Sequence, residues 1–266
     1  MPNPEHWLRH SRMSDLGAYI DAVGALPADI RGLAGIVQGI LVHEAWLGAY
    51  DLDERDYRNV ARATLPAAER LSRVFERDSR PLQCRRRPDR REVTTCQDFA
   101  LLLCAFFRSK QIPSRVRCGF AAYFGKPWED HWVCEYWDRQ GRQWRLCDPQ
   151  LDDVLRERCV IGFDPIAVPC NAFMLAGQAW LACRDAKADP GDFGHGDVTG
   201  AWFVKINVVR DHYAVNNRET SAWDSWRAAP SSRRVVSERE TVLLDDLAAR
   251  PDQELIDITP DWREGA

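Results

Sequence analysis

Residues 94–148 constrain the fold of this chain most, because a capped apolar helix is followed there by three short alternating stretches. The run TTCQ fits a capping box, with Thr94 as the N-cap and Gln97 at the third helical position. A dense apolar body follows and predicts a mostly buried helix over Thr94–Lys110. Cys96 is therefore expected in the first turn of a buried helix.

Three stretches after this helix alternate apolar and polar residues with the period of a β-strand. They are Ser114–Phe124, Asp130–Trp137 and Gln143–Cys147, and glycine-containing turns separate them. An antiparallel meander is the simplest arrangement of such strands. His131 lies on the second predicted strand, and Asp148 directly follows the third.

The rest of the chain reads as mostly helical, so the predicted fold class is α+β. We expect a single domain over residues 1–266, with a helical part at 1–92, a core at 93–150 and a mostly helical part at 151–266. Trp202–Asn216 fits either a helix or a strand, and its length favours a helix. The other predicted helices are Asp15–Val23, Asp29 to about Tyr50, Asp53–Arg77 with a break or kink at Pro66, Asn171–Arg184, Thr241–Arg250 and Glu254–Ile258.

Charge and hydropathy narrow the classes of partner. The formal net charge is −4, so no strong overall field favours nucleic acid or an anionic membrane. The longest apolar run, Phe99–Phe107, is far too short to span a bilayer. The first residues lack the apolar centre of a secretory signal. We therefore expect a cytoplasmic protein with no nucleic-acid or membrane partner.

The cysteine pattern points to thiols rather than to disulfides or zinc. The chain has nine cysteines, an odd number, and a reducing compartment disfavours disulfides. No two cysteines are spaced as a C-x-x-C pair, so a zinc site has no motif behind it. Most of these residues are expected to be small, buried core residues, and only local context distinguishes one of them.

Arg80–Glu92 is the most basic stretch. Seven arginines and four acidic residues between positions 76 and 92 leave a local net charge of 7 − 4 = +3. Such a stretch is most often a solvated loop. The alternative is a rim that holds an anionic part of a substrate or its carrier, because guanidinium groups pair with carboxylates and phosphates. Arg86 and Arg87 are the candidates for that role, and Trp132 is a further candidate substrate-binding residue.

Cys96, His131 and Asp148 together have the chemistry of a nucleophilic site. Free N–H groups and the helix dipole at a helix start favour the thiolate form of a cysteine. A thiol nucleophile needs a base within hydrogen-bond reach, and the base needs a third group that fixes its tautomer. His131 is the predicted base and Asp148 the predicted orienting acid.

Other residues compete less well for these roles. His195 and His212 are rival bases, but neither has the strand and the following acid that surround His131. Asp130 precedes His131 and is expected to point to the opposite face of the strand, which makes it a poor orienting acid.

Three segments carry a resemblance to a known family. They are TTCQDFALLLCAFFRSKQIPSRVRCGF, DHWVCEYW and WRLCDPQ, all within Val93–Gln150. This part of the chain resembles the transglutaminase-like superfamily of cysteine enzymes. The resemblance implies a papain/transglutaminase-like core, in which a buried Cys-bearing helix packs on an antiparallel sheet. It also implies Cys96 as nucleophile, His131 as base and Asp148 as acid, although Thr95 stands where many members have glycine.

The resemblance implies acyl transfer through a thioester on Cys96, from a small-molecule, peptide or carrier-bound acyl substrate to water or an amine. Two alternatives remain open: an amide-forming biosynthetic enzyme that uses a carrier thioester, and a catalytically silent module that binds in the same cleft. The mechanism requires no cofactor or metal, and although the family includes calcium-dependent members, no EF-hand-like loop is present. The N–H of Cys96 supplies one oxyanion-hole donor, and Gln83 and Trp46 are candidates for the second.

Overall fold

The computed structural model describes residues 4–57 and 63–263. The chain divides into two compact units, and each draws on two separate stretches of sequence. The first unit contains the chain up to Val116 together with Val133–Val168. The second contains Arg117–Trp132 and the chain from Pro169 onward. The single domain expected from the sequence stays a prediction.

The first unit holds the Cys-bearing helix. Its helices are α1 (Ile20–Gly24), α2 (Ile30–Ile40), α3 (Ala67–Arg77), α4 (Cys96–Ser109) and α5 (Asp153–Arg158). Its strands are β1 (Leu41–His43), β2 (Glu92–Thr94), the start of β3 (Ser114–Ala121), the end of β4 (Trp128–Asp138) and β5 (Gln143–Cys147). The first two strands pair in parallel, and β5 pairs antiparallel with β4.

Helix α4 packs against the strands of its unit because its body is apolar on nearly every side. Every residue from the second position to Arg108 is buried. The Phe107 ring contacts the ring of Tyr136 on β4 edge-on, with 5.6 Å between centroids. The Cys104 thiol lies 3.4 Å from the Ser114 hydroxyl at the start of β3. The expected packing of a buried helix on a sheet is therefore confirmed.

The second unit contains strands from five elements and the C-terminal helices. It contains the remainder of β3 and β4, then β6 (Phe173–Leu175), β7 (Phe193–His195) and β8 (Val198–Thr199), in the order β6-β3-β4-β7-β8. Its helices are α6 (Ala176–Arg184), α7 (Ala201–Val215) and α8 (Glu238–Ala249). Gly119 is required where β3 meets β6, since a Cβ there would lie 2.3 Å from the carbonyl oxygen of Met174.

Helix α7 is buried along almost its whole length in the core of the second unit. An aromatic cluster surrounds it, in which Phe120 contacts Phe193 and Phe203 contacts Trp226 at centroid distances of 5.0 and 4.8 Å. The prediction of a helix over Trp202–Asn216 is confirmed. The same helix also buries several polar side chains, namely Lys205, Asn207, Arg210, Asp211 and His212.

The α+β class is confirmed, and three strands lie close to their predicted bounds. The sheet is mixed rather than purely antiparallel, because β4 and β7 pair in parallel at Trp128 and Phe193. Two predicted helices are wrong in part. The helix expected from Asp29 to Tyr50 ends at Ile40, where the chain becomes extended to pair with β2. The helix expected over Asn171–Arg184 begins with β6, which pairs with β3.

Two further predicted helices also differ from the structure. Glu254–Ile258 is irregular, because its backbone groups bond to side chains of α7 instead of to each other. In the helix predicted over Asp53–Arg77, Pro66 separates a short 3-10 turn from α3, and residues 58–62 lie outside the described part of the chain.

Candidate active site

Cys96 is the first residue of α4 and is half-buried. The preceding residue, Thr95, is extended and is the N-cap. The carboxylate of Asp98 accepts hydrogen bonds from the Thr95 N–H and hydroxyl at 3.4 and 3.1 Å. The capping box predicted at Thr94 and Gln97 is therefore wrong by one residue. The reason is that Thr94 is still the last residue of β2, paired with His43.

A buried ion-pair network fixes this first turn. The Arg70 guanidinium of α3 donates to Asp98 Oδ1 through Nε at 3.3 Å and Nη2 at 3.0 Å. Its third contact is to Glu92 Oε1 on β2, at 2.9 Å. The side chains of all three residues are at most 4% exposed. Removing one partner of a buried pair leaves an uncompensated charge, so this network holds helix, strand and α3 in one arrangement.

Asp148 directly follows β5 and is fully buried. Its Oδ1 accepts the N–H of Gln150 at 2.9 Å, and its own N–H donates to the carbonyl of Pro165 at 2.8 Å. Strand β5 is held in register by the pairing of Cys147 with Cys134 on β4. The carboxylate is therefore fixed at the strand end, as its position before Pro149 predicts.

His131 lies on the part of β4 that belongs to the second unit, and it is 2% exposed. Aromatic side chains surround its ring edge-on, with centroid distances of 5.9 Å to Tyr123, 5.0 Å to Phe124 and 6.3 Å to Phe173. Aromatic walls of this kind restrict the ring to few orientations. Cys96 and Asp148 belong to the first unit, so the assembly of the three residues stays a prediction.

The rival residues have other partners. Asp130 accepts hydrogen bonds from Asn207 and Arg210 of α7. His195 Nδ1 lies 3.0 Å from a carboxylate oxygen of Glu129. His212 Nε2 accepts the N–H of Ile256 at 2.9 Å, and burial lowers the pKa of this imidazole.

The arginine-rich stretch is largely tied to its own unit. Arg86 is 1% exposed and donates to carbonyl oxygens of its own loop, those of Asp78, Arg80, Pro81 and Cys84. Arg87 is exposed and pairs with Asp89 at 3.2 Å. These contacts favour the loop interpretation over the anion-binding rim.

Asp152 is a buried carboxylate with several cationic and hydroxyl partners that no sequence pattern singled out. It is buried, caps α5, and accepts hydrogen bonds from the Tyr50 hydroxyl at 2.9 Å, from Arg85 at 3.1 Å and from Arg91 at 3.3 Å. Burial raises the pKa of Tyr50 and lowers that of Arg91. The one sequence signal that could have pointed to it is the excess of arginines over acidic residues between positions 76 and 92, since some of these arginines need acidic partners outside that stretch.

The remaining candidates for substrate contact differ in exposure. Trp132 is 2% exposed and lies beneath the Arg210 guanidinium, 4.8 Å from its ring centroid, so it is committed to packing. Gln83 lies exposed in a turn, and Trp46 is half-buried on the 3-10 segment Glu44–Tyr50. Among residues 4–57 and 63–263, no group of three or more His, Cys, Asp or Glu could hold a metal ion. None of the described helices combines the length and hydropathy needed to cross a membrane.

Comparison with known proteins places this region in a family context. Residues 72–149, which contain Cys96, His131 and Asp148, match the model of the Transglutaminase-like superfamily. Over these residues the chain is transglutaminase-like, which confirms the resemblance and supports a cysteine-based enzyme in general. No curated protein gives a significant match.

One solved structure is similar to this chain, named "a Putative Cysteine Protease from Cytophaga hutchinsonii". It is 14% identical, with a TM-score of 0.42, and the match covers 66% of this chain and 46% of that one. The chain therefore spans less than half the length of that structure.

Proposed function

We propose that this protein is a cysteine enzyme that transfers an acyl group through a thioester on Cys96. In this proposal His131 is the base and Asp148 is the residue that orients it. The acyl donor is an amide, ester or thioester, and the acceptor is water or an amine. The superfamily match supports the class of chemistry, and the acyl donor and acceptor are part of the proposal.

The position of Cys96 carries this proposal. It is the first residue of a buried helix, and its side chain is half-buried rather than enclosed. Its N–H has no acceptor inside α4, because the first N–H groups of a helix have no carbonyl one turn earlier. A donor in this position is free to bind an oxyanion that forms on a carbonyl attacked by the same residue.

In the acylation step, His131 takes the proton of the Cys96 thiol, and the sulfur attacks the substrate carbonyl carbon. The carbonyl oxygen gains negative charge and accepts the N–H of Cys96. When the intermediate collapses, His131 gives the proton to the leaving amine, alcohol or thiol. The products are a thioester on Cys96 and the released leaving group.

In the deacylation step, His131 takes a proton from water or an amine, which attacks the thioester carbonyl. The Cys96 sulfur leaves and regains the proton from His131. Hydrolysis prevails where water reaches the thioester, and transfer to an amine requires that water be excluded. Asp148 would bind the second ring nitrogen of His131 and stabilise the imidazolium formed in both steps.

Alkylation by limiting iodoacetamide between pH 5 and pH 9, mapped by mass spectrometry, tests the nucleophile and the base. Exposed Cys170 is an internal reference for a thiol without a site. We expect Cys96 to be labelled well before Cys170, and His131→Ala to slow the labelling of Cys96 by about tenfold or more. His195→Ala is the matched control, and its labelling should equal that of the wild type.

Equal labelling of Cys96 and Cys170, or an unchanged rate in His131→Ala, would contradict the proposed activation and favour the catalytically silent module. After a positive result, the protein is incubated with an activated acetyl ester as substrate. We expect an acetyl group on Cys96 of the wild type and no acetylation at this position in Cys96→Ser. Added primary amine then separates transfer, which yields the amide, from hydrolysis, which yields acetate alone.

A further inference from the structure

The face of β4 opposite to His131 is held by buried polar side chains of α7. Asn207 is fully buried, and its amide Nδ2 donates to the Gly119 carbonyl at 3.2 Å and to Asp130 Oδ1 at 2.8 Å. Gly119 lies on β3 and Asp130 on β4, so one side chain bonds to both strands. The second of these contacts is to the residue immediately before His131.

Arg210 holds the residues on both sides of His131. Its Nη1 lies 3.3 and 3.4 Å from the two carboxylate oxygens of Asp130 and donates to Asn207 Oδ1 at 2.9 Å. Its guanidinium carbon lies 4.8 Å from the ring centroid of Trp132. Arg210 itself is 7% exposed, and its Nε donates to Asp224 at 3.2 Å.

Strand geometry converts these contacts into a constraint on His131. Successive side chains of a strand point to opposite faces, so Asp130 and Trp132 share one face and His131 takes the other. With both neighbours fixed, the backbone that carries the imidazole has little freedom to twist or shift. The hydrogen bonds among Asn207, Arg210 and Asp130 resist rearrangement, because an alternative arrangement would break bonds between buried polar groups.

We propose that Arg210 and Asn207 are positioning residues that fix His131 through Asp130 and Trp132. This inference rests on the proposed function, in which His131 is the base. A misplacement of about 1 Å in a catalytic group costs on the order of a hundredfold in rate, so a rigid support is a functional requirement. Part of the C-terminal region, for which the sequence predicted no role, would thus serve the chemistry of the matched core.

Arg210→Lys tests the proposal, because lysine keeps the charge but lacks the planar fork that reaches Asp130 while lying over Trp132. We expect Cys96 alkylation to slow by about tenfold and the ring resonances of His131 to shift in NMR spectra of histidine-labelled protein. Asp130→Asn is the second variant. It keeps the shape and one acceptor for Asn207, loses the charge opposite Arg210, and should shift the same resonances.

The matched control is Glu240→Gln, which weakens another ion pair of α7. Lys205 Nζ lies 2.7 Å from Glu240 Oε1 and also donates to the Val235 carbonyl, and neither partner is on β4. This variant should leave the alkylation rate and the His131 resonances unchanged, even with a lowered melting temperature. The variants are compared at temperatures well below their melting transitions.

Two negative outcomes are distinguishable. If Arg210→Lys and Asp130→Asn lower the melting temperature as Glu240→Gln does but leave the Cys96 rate and the His131 resonances unchanged, the network is only structural and the inference is overturned. If His131→Ala leaves Cys96 alkylation unchanged, the proposed function itself fails, and the positioning role fails with it.

Discussion

At the scale of single residues, burial separates the nine thiols of the chain. Burial raises the pKa of Cys134 and of Cys147 well above the ordinary value for a thiol. Cys183 is partly buried, and burial raises its pKa to about 11. Since the thiolate is the nucleophile, these residues are chemically silent near neutral pH. Cys96 is also half-buried, and it differs from these three residues in its position at the first turn of α4.

We predict that Cys134 and Cys147 stay unlabelled by iodoacetamide up to pH 9 in the folded protein. Cys183, with a pKa of about 11, is ionised in only about one molecule in a hundred at pH 9 and should react slowly. Labelling in denaturant, where all nine thiols are accessible, is the control. Early labelling of Cys147 in the native protein would show that the β5 strand opens.

Asp148→Asn should lower turnover, or the rate of Cys96 alkylation, by about 10²- to 10⁴-fold if the aspartate orients the base. Asparagine keeps the acceptor that binds the Gln150 N–H, so the fold should survive. Asp164→Asn is the matched control, because this carboxylate is 43% exposed and pairs with Arg31 at the surface. Equal rates in the two variants would remove Asp148 from the mechanism.

At the scale of elements, the first turn of α4 is anchored by the buried ion pairs of Arg70 with Asp98 and Glu92. Asp98→Ala should destabilise the protein by about 3 kcal/mol, because Arg70 stays buried with only one of its two acidic partners. Asp246→Ala removes an exposed, solvent-screened pair with Arg250 and should destabilise the protein far less. Urea unfolding of both variants measures the difference, and similar losses would contradict a buried, anchored turn.

The segment after Gln253 is bound to α7 by hydrogen bonds in place of a helix. Tyr213 and Trp223 bond to the backbone of Ile258, and His212 accepts the N–H of Ile256. Because the acceptor is a neutral ring nitrogen, protonation of His212 would remove this bond. Acid therefore weakens the attachment of this segment at the hydrogen bond between Ile256 and His212.

Burial lowers the pKa of His212 below its ordinary value of 6.5, so the unfolded chain binds the proton more readily than the folded one. The free energy of unfolding should therefore fall as the pH drops through 6.5. His212→Gln removes this titration while keeping an acceptor for Ile256, and should lose less stability between pH 8 and pH 5.5. Urea unfolding at both values checks this, and identical pH dependence in the two proteins would contradict it.

Elements with strong local signals could be predicted from sequence, and elements decided by distant partners could not. The apolar body of α4 and the alternation of β3 to β5 are visible in any short window. By contrast, β6 exists because it pairs with β3, and Leu41 is extended because it pairs with Glu92. The capping box lies one residue later than predicted for the same reason, because Thr94 pairs with His43 as the last residue of β2.

The same distinction holds for the site. The order of Cys96, His131 and Asp148 along a helix and two strands could be predicted, and the superfamily match covers all three. The partners of Arg85 and Arg91 could not, because Asp152 lies more than sixty residues away. Nor could Asn207 and Arg210, whose contacts with Asp130 span 77 and 80 residues.

At the scale of the whole molecule, the family match at residues 72–149 does not coincide with either compact unit. Residues 1–168 contain the entire matched segment, yet they end before the partners of Arg117–Trp132 begin. In that fragment Phe120 would lose its contacts with Phe193 and Phe203, and Asp130 would lose those with α7. Each loss either exposes a group that is buried in the full chain or leaves it without its partner.

We predict that the fragment 1–168 fails to form a rigid fold, with little near-ultraviolet circular dichroism and no cooperative melting transition. Loss of one buried aromatic costs about 3–5 kcal/mol, comparable to the whole stability of many domains. The full chain measured under the same conditions is the control. A fragment with a sharp melting transition would show that the first unit is stable without the second.

The interleaving of the two units also fixes an order of events during synthesis on the ribosome. The last residues of the first unit, Val133–Val168, are synthesised before the rest of the second unit. At that stage Arg117–Trp132, which carries His131, lacks the partners that follow it in the chain. Those partners include α7, and α7 is itself bound by Ile258, whose carbonyl accepts a hydrogen bond from Tyr213. Cys96 is therefore synthesised well before the partners that bury His131, so in the proposed mechanism the thiol is not activated until the chain has been made at least as far as Ile258.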